Sequence, residues 1–299
     1  LAPSQVIATC AGVFGPPAAI SIAGHRQPGH AIEPAMHTDP DLCHFTQALF
    51  NISMKKIFTA FFAAMSYLIF LAVFLYLVGF VGNLPLPKTI DSGSSQPLGQ
   101  AVVIDLCFIA LFGLQHSVMA RPGFKSWWTQ IVPAHIERST FVLAASLVLA
   151  LTLWQWRSIT TPVIWDLKPS MAANAMVLLC WAGWGVLLLS TFLINHFELF
   201  GLQQAYARLR GRALQAQEFR TPLLYRHVRH PIYLGFLIAF WAAPRMTLGH
   251  LLFALAWTAY VLVGICFEER DLLAQFGARY LRYRAEAGML FPSLRRRER

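Results

Sequence analysis

Long uncharged apolar runs alternate with short loops in which arginine gathers. Ile57 to Val81 is 25 residues without a charge. A helix needs about 20 apolar residues to cross a bilayer, so this run can span. Ala101 to Ala120, interrupted by Asp105 and Gln115-His116, is a second span, Ser139 to Trp156 a third and Met171 to Ile194 a fourth. Ile232 to Cys266 is a longer apolar stretch broken at Pro244-Arg245. Its first arm, Ile232 to Ala243, is 12 residues. At 1.5 Å per residue that is about 18 Å, too short for a hydrocarbon core of about 30 Å. Either this arm is re-entrant, or its end starts below the membrane surface. Either geometry implies buried backbone or a cavity there. The pattern predicts an all-α, polytopic transmembrane bundle: four spans over residues 54–194, then a partly re-entrant helical hairpin over 231–267.

Loop charge predicts the orientation. The 195–230 loop carries Arg208, Arg210, Arg212, Arg220, Arg226 and Arg229, and the tail carries Arg295-Arg296-Arg297. The 121–138 loop adds Arg121, Lys125 and Arg138, and Lys55-Lys56 precede the first span. Loops 82–100 and 157–170 hold three basic residues between them, Lys88, Arg157 and Lys168. The positive-inside rule then makes both termini cytoplasmic, in a bacterial inner membrane. Only 13% of the 299 residues are charged and 57% are hydrophobic. An ordinary soluble enzyme carries about 25% charge and is disfavoured. The net charge of +10 follows from the loop arginines and needs no nucleic-acid partner. Arg208, Arg210, Arg212 and the tail arginines read as contacts to anionic lipid. Trp127, Trp128, Trp154, Trp156 and Trp165 read as interfacial belts. None of the five cysteines forms a metal-ligand pair; those in apolar runs read as small buried hydrophobes.

Residues 1–53 differ in kind. They hold six prolines and four of the ten histidines, and show no helical period. They are expected to be a disordered leader or upstream translated sequence, with Met54-Lys55-Lys56 as a natural start.

The densest chemistry is Tyr225-Arg226-His227-Val228-Arg229-His230-Pro231-Ile232-Tyr233. Proline suits the first turn of a helix and pushes the residue before it out of helical geometry. Arg229 and His230 therefore flank a helix start, where anions bind. Glu268-Glu269 lies at the returning end of the hairpin, so cationic and anionic groups meet there. A structural ion pair closing the hairpin accounts for the spacing equally well. Where spans meet the cytoplasmic side, His116 and His196 stand beside Gln115, Asn195 and Glu198. Intramembrane polar groups of this kind are functional candidates, with interhelical hydrogen bonding as the rival role. For Asp105 a solvated interfacial role is expected, and for His250 packing.

Arg229-His230-Pro231-x-Tyr233, Glu268-Glu269-x-x-Leu272, Phe276-Gly277, Tyr280 and Tyr283 resemble the C-terminal signature of isoprenylcysteine carboxyl methyltransferases. Gln115-His116-Ser117-Val118-Met119-Ala120-Arg121-Pro122, Asn195 to Leu202 and Met246 to Leu251 resemble the nurim family, most closely its bacterial methanethiol S-methyltransferase branch. The resemblance covers about residues 54 to 292. Ala287 to Pro292 departs from the Val-Pro-Arg-like close of the carboxyl methyltransferases. The resemblance implies S-adenosylmethionine (SAM) as methyl donor. Arg229 and His230 would face its carboxylate, Glu268 or Glu269 its ammonium or ribose hydroxyls, and Tyr225, Tyr233 and Tyr280 its adenine or sulfonium. The residues 195–299 would then form the donor-binding region. The acceptor implied is a small volatile thiol, methanethiol, giving dimethyl sulfide and S-adenosylhomocysteine. A thiol reacts as its thiolate, and His116 and His196 are the candidate groups to promote ionisation. Another thiol, lipid or carboxylate acceptor, and a non-enzymatic nurim- or denitrification-type membrane protein, are the alternatives. Binding calorimetry with SAM separates the last from the others.

Overall fold

The computed structural model describes residues 40–213 and 219–293, with side chains from residue 53 onward. The chain divides into residues 1–46 and 47–299. Of the first unit only the residues from Pro40 are described. There the backbone is already helical, although no helical period is legible in the sequence. The rest of the leader expectation lies outside the described residues.

Among the described residues, five helices are long and apolar enough to cross a membrane: α1 (Pro40–Val81, counted from Ser53), α2 (Leu98–Ala120), α4 (Ala134–Gln155), α5 (Met171–Ile194) and α9 (Leu248–Phe276). Short helices α3 (Pro122–Trp128), α6 (His196–Leu199), α7 (Leu202–Arg210), α8 (Pro231–Trp241) and α10 (Ala278–Glu286) complete the set. This is an all-α polytopic membrane protein. The spanning helices are apolar nearly all round, and Phe61, Val103, Leu178 and Phe192 stand outward and exposed. Such surfaces are matched to lipid tails, not water.

The inner faces meet in an aromatic core. Phe80 and Trp156 lie edge to face at 6.1 Å, Trp156 and Phe253 at 5.5 Å, and Phe240 and Phe253 at 5.1 Å. Quadrupolar rings prefer this geometry to face-to-face stacking. Trp156 therefore departs from the expected interfacial belt. It is 1% exposed, and its indole N–H donates to the Ile90 carbonyl at 3.0 Å. Trp154, two residues earlier, faces outward at 70% exposure. Asp105 departs too. It is buried, and its carboxylate accepts the Arg157 backbone N–H at 2.7 Å, which ties α2 to the turn after α4. Cys107 and Cys266 lie on outward faces and Cys180 is half-buried, so the cysteines are not uniformly core residues.

The hairpin is real but asymmetric. Short helix α8 has 11 residues, about 16 Å. It runs antiparallel beside residues 250–269 of α9. The Phe240 carbonyl accepts from His250 Nε2 at 2.9 Å, the Trp241 indole donates to Thr258 at 2.9 Å, and Tyr233 reaches Glu268 at the other end. The connection between them is extended. Its strand β2 (Arg245–Thr247) pairs antiparallel with β1 (Val163–Asp166), which follows α4. That pairing satisfies backbone groups that a short helix would otherwise leave open. Thr247 then caps α9, accepting from the His250 backbone N–H and donating to Asp91 at 2.6 Å.

Helix α8 is held against α5 by backbone contact. A Cβ on Gly183 would lie 2.7 Å from Ala239 N and 2.8 Å from Gly235 O. A Cβ on Gly235 would lie 2.7 Å from both Gly183 O and Leu187 N. Without a hydrophobic drive between helices in lipid, this close approach supplies the packing. Gly235→Val should force the helices apart and lower stability by about 1–3 kcal/mol or more. Thermal unfolding of the detergent-purified protein checks this; an unchanged midpoint would contradict the packing.

Candidate functional site

Three segments converge where α8 begins. The first is the approach to α8. A 3-10 turn, Leu223–Arg226, leads to His230, whose φ of −125° and ψ of 61° lie outside the helix, and Pro231 opens α8. The second is α9, presenting Glu268 and Glu269. The third is the tail after α10. Gly277 (φ 52°) separates α9 from α10 and lets the chain turn back. The tail then lies alongside the approach segment: Val228 bridges Gly288 in parallel, Arg229 N–H donates to Gly288 O at 2.8 Å, and His230 N–H to Met289 O at 3.2 Å. At Gly288 a Cβ would lie 1.8 Å from Phe291 O, so the turn requires glycine. The stretch that departs from the carboxyl methyltransferase ending is thus the one that closes the corner.

At the centre is the Glu269 carboxylate. Arg229 Nε donates to Oε1 at 2.7 Å, His230 Nε2 lies 3.1 Å from the same oxygen, and Arg284 Nε is 3.5 Å from Oε2. The Arg229 and Glu269 side chains are 10% and 11% exposed. Arg229 also donates to the Ala287 and Arg284 carbonyls, at 2.6 and 3.2 Å. The expected meeting of Arg229, His230 and Glu269 is therefore a closed, internally bonded ion pair. Glu268 is different: Tyr233 donates to it at 2.7 Å, yet its side chain is 44% exposed. Arg284 and Gly288 are the parts of this corner not singled out from the sequence. The only signal for either is a glycine next to the family motif.

Tyrosines line the same end. Tyr225 donates to Ser190 O at 3.4 Å, and Tyr283 donates to the Tyr225 carbonyl at 2.6 Å. Burial, with Glu268 close by, holds the Tyr225 hydroxyl above the usual phenol range. Burial does the same to Tyr283, with Tyr280 adding to it. Tyr280 is 1% exposed and its hydroxyl has no hydrogen-bond partner among the described residues. Burial first and the Glu269 charge second push it up to about 12. Beside these rings is an open hollow of about 450 Å³, lined by Phe219, Thr221, Arg279, Arg282, Tyr283 and Glu286.

The two candidate histidines are elsewhere. His196, in α6 just past the end of α5, is buried, stacked on Phe192 at 4.4 Å and bonded to Tyr67 and Thr191. Burial lowers its proton affinity. His116, on α2, is bonded to Tyr260 of α9 at 2.8 Å and flanked by Phe112 and Phe141. Neither histidine bonds to Arg229, His230 or Glu269 among the described residues.

Fold and corner together define a polytopic helical membrane protein with a buried charged joint beside an aromatic hollow. Comparison with known proteins places it further. The chain is 54% identical over 239 residues to a methanethiol S-methyltransferase of Mycobacterium tuberculosis, covering 80% of this chain and 98% of that protein. It is 54% identical over 238 residues to methanethiol S-methyltransferase 2 of Bradyrhizobium diazoefficiens, covering 80% and 91%. Nurim of Rattus norvegicus is 30% identical over 185 residues, covering 60% and 68%. The chain belongs to the methanethiol S-methyltransferase family, with nurim a more distant relative. No protein-family model and no solved structure matches it.

The corner predicts an asymmetry between adjacent glutamates. Removing one partner of a buried ion pair strands the other and costs about 3–5 kcal/mol. Glu269→Ala and Arg229→Ala should each lower unfolding stability by that order, whereas half-exposed Glu268→Ala should change it little. Denaturant titration in detergent reads the difference; equal losses at 268 and 269 would contradict it.

Proposed function

We propose that this protein transfers the methyl group of SAM to methanethiol, giving dimethyl sulfide and S-adenosylhomocysteine. The relationship to proteins named methanethiol S-methyltransferase carries the reading. When bound, SAM supplies an electrophilic methyl group on a sulfonium centre. The residues present fit such a donor. Tyr280 offers a buried hydroxyl with no internal partner, which a ligand oxygen or nitrogen would satisfy. Glu268 offers a half-exposed carboxylate for an ammonium, already oriented by Tyr233. Arg279 and Arg282 line the adjoining hollow and offer cations for a carboxylate, with Phe219 and Tyr283 as ring surfaces.

Arg229, His230 and Glu269 then act mainly as the joint that holds Glu268 and the tail in position. Tyr225 braces Tyr283 through its carbonyl. Toward the donor, which is already activated, the chain's own work is alignment and exclusion of water. An apolar, membrane-embedded bundle also suits a volatile thiol that partitions out of water. We assign the arginine-rich end to the cytoplasm of a bacterial inner membrane, with both termini on that side. Anionic lipid would contact Arg208, Arg210 and Arg212, while residues 1–53 would lie outside the working domain.

Purified protein given SAM and methanethiol should release dimethyl sulfide into the headspace. SAM binding without product would remove the acceptor, and absence of SAM binding would remove the donor. Glu268→Ala should weaken SAM binding about tenfold or more, a loss of about 1.4 kcal/mol or more. Tyr280→Phe should weaken SAM binding without lowering stability, because it deletes a hydroxyl that has no internal partner. Calorimetric titration reads both; unaltered affinity in both would exclude this location.

A further inference from the structure

The two candidate histidines use their ring nitrogens differently. The Thr191 hydroxyl donates to Leu188 O at 2.7 Å, so toward His196 Nδ1, at 2.9 Å, it can only accept. The ring proton is therefore on Nδ1. Nε2 then accepts from the Tyr67 hydroxyl at 2.9 Å. Both nitrogens of His196 are committed, and none is free to take a proton. His116 is open by contrast. Its Nδ1 meets the Tyr260 hydroxyl at 2.8 Å, while Nε2 has no partner among the described residues and is not fully enclosed.

The geometry points to His116 as the base that receives the thiol proton, with Tyr260 as its positioning residue; this rests on the thiol-methylation reading above. Phe112, Phe141 and Tyr260 surround the imidazole, with ring centroids at 5.4, 4.9 and 6.2 Å. These walls admit a small uncharged thiol and solvate its anion poorly. The charged groups that face the ring are Arg138, from α4, and Arg121, at the end of α2. Asp271, from α9, is engaged by Arg121 at 3.0 Å. The two guanidinium groups favour a thiolate over a thiol.

The placement suits transfer. Tyr260 stands eight residues before Glu268 on α9, about 12 Å along the axis. The proposed base therefore lies further into the bundle than the donor corner, along the same helix. In the step itself, with the ring proton on Nδ1 directed at the Tyr260 oxygen, the S–H bond breaks and its proton passes to His116 Nε2. The sulfur electron pair forms the bond to the methyl carbon, while the sulfonium–methyl bond breaks and its electrons stay on the departing thioether sulfur. The proton then leaves His116 for water.

The test compares two acceptors, methanethiol and the larger but much more acidic trifluoroethanethiol, at a pH where the second is ionised, each variant being read against wild type with the same thiol. Full-length wild type, His116→Gln and Tyr260→Phe are assayed, and SAM affinity is measured by calorimetry. His116→Gln should lower kcat with methanethiol by about 100- to 10,000-fold, the usual range for a lost general base. With trifluoroethanethiol the loss should be under about tenfold, because no proton needs removing. SAM affinity should be unchanged. Tyr260→Phe should show a smaller loss with the same bias and a displaced acidic limb in the pH profile. Equal losses with both thiols, or none with methanethiol, would overturn the assignment. Should His116→Gln fail to bind SAM, Tyr260→Phe decides by the same bias, and an unbiased loss overturns the proposal. Wild type that binds SAM but methylates neither thiol would defeat the thiol reading itself, and His116 as its base with it.

Discussion

The Glu269 carboxylate is the point on which the arginine-rich end of the molecule depends. It is nearly enclosed, and an enclosed charge is tolerated only when paired and hydrogen-bonded. Arg229 and His230 from the approach to α8, and Arg284 from α10, all meet it. Those contacts bring three separate stretches of chain to one place. They fix the start of α8, the return of the tail along Val228 to His230, and the height at which Glu268 emerges. The adjacent glutamates divide the work: one carboxylate is spent inside the joint and the other remains accessible beside it.

Lipid as solvent explains the rest of the architecture. Helices that are apolar on every face gain little from hiding apolar surface against one another, so other interactions must decide which faces meet. Here they are the backbone contact at Gly183 and Gly235, edge-to-face aromatic pairs, and a set of buried polar side chains bonded across elements. Trp156, His250, Asp105 and Thr247 all bond to backbone or side chains of a different element. Each of these cross-links is stronger for being far from water. The ribbon of β1 and β2 follows from the same constraint, since an extended segment between two helices needs its N–H and C=O groups satisfied locally.

Much of the site was legible in the sequence, and for identifiable reasons. Arg229-His230-Pro231 marks a helix start because proline has only a few allowed settings, and Glu268-Glu269 ends an apolar run that must return. Their meeting follows from chain geometry alone. What escaped was how each group is used. Arg229 reads as a free cation beside a helix start, yet three acceptors surround it. Asp105 and Trp156 read as interfacial because each stands near the end of an apolar run. Both point inward because the 156–162 segment folds in over the bundle, a matter of direction that spacing cannot express. His116 and His196 look alike in sequence, each beside polar neighbours at a span's end; only their partners tell them apart.

The apolar runs, the arginine-rich loops and the motif spacing were thus sufficient to define the class of fold, the helical hairpin and the family, because bilayer thickness, helix rise and proline stereochemistry act on local sequence. The tertiary structure alone decided which glutamate is closed off, which histidine keeps an open nitrogen and which glycines carry a crossing. Those outcomes depend on the direction of side chains from remote helices, and that direction is set by packing in three dimensions.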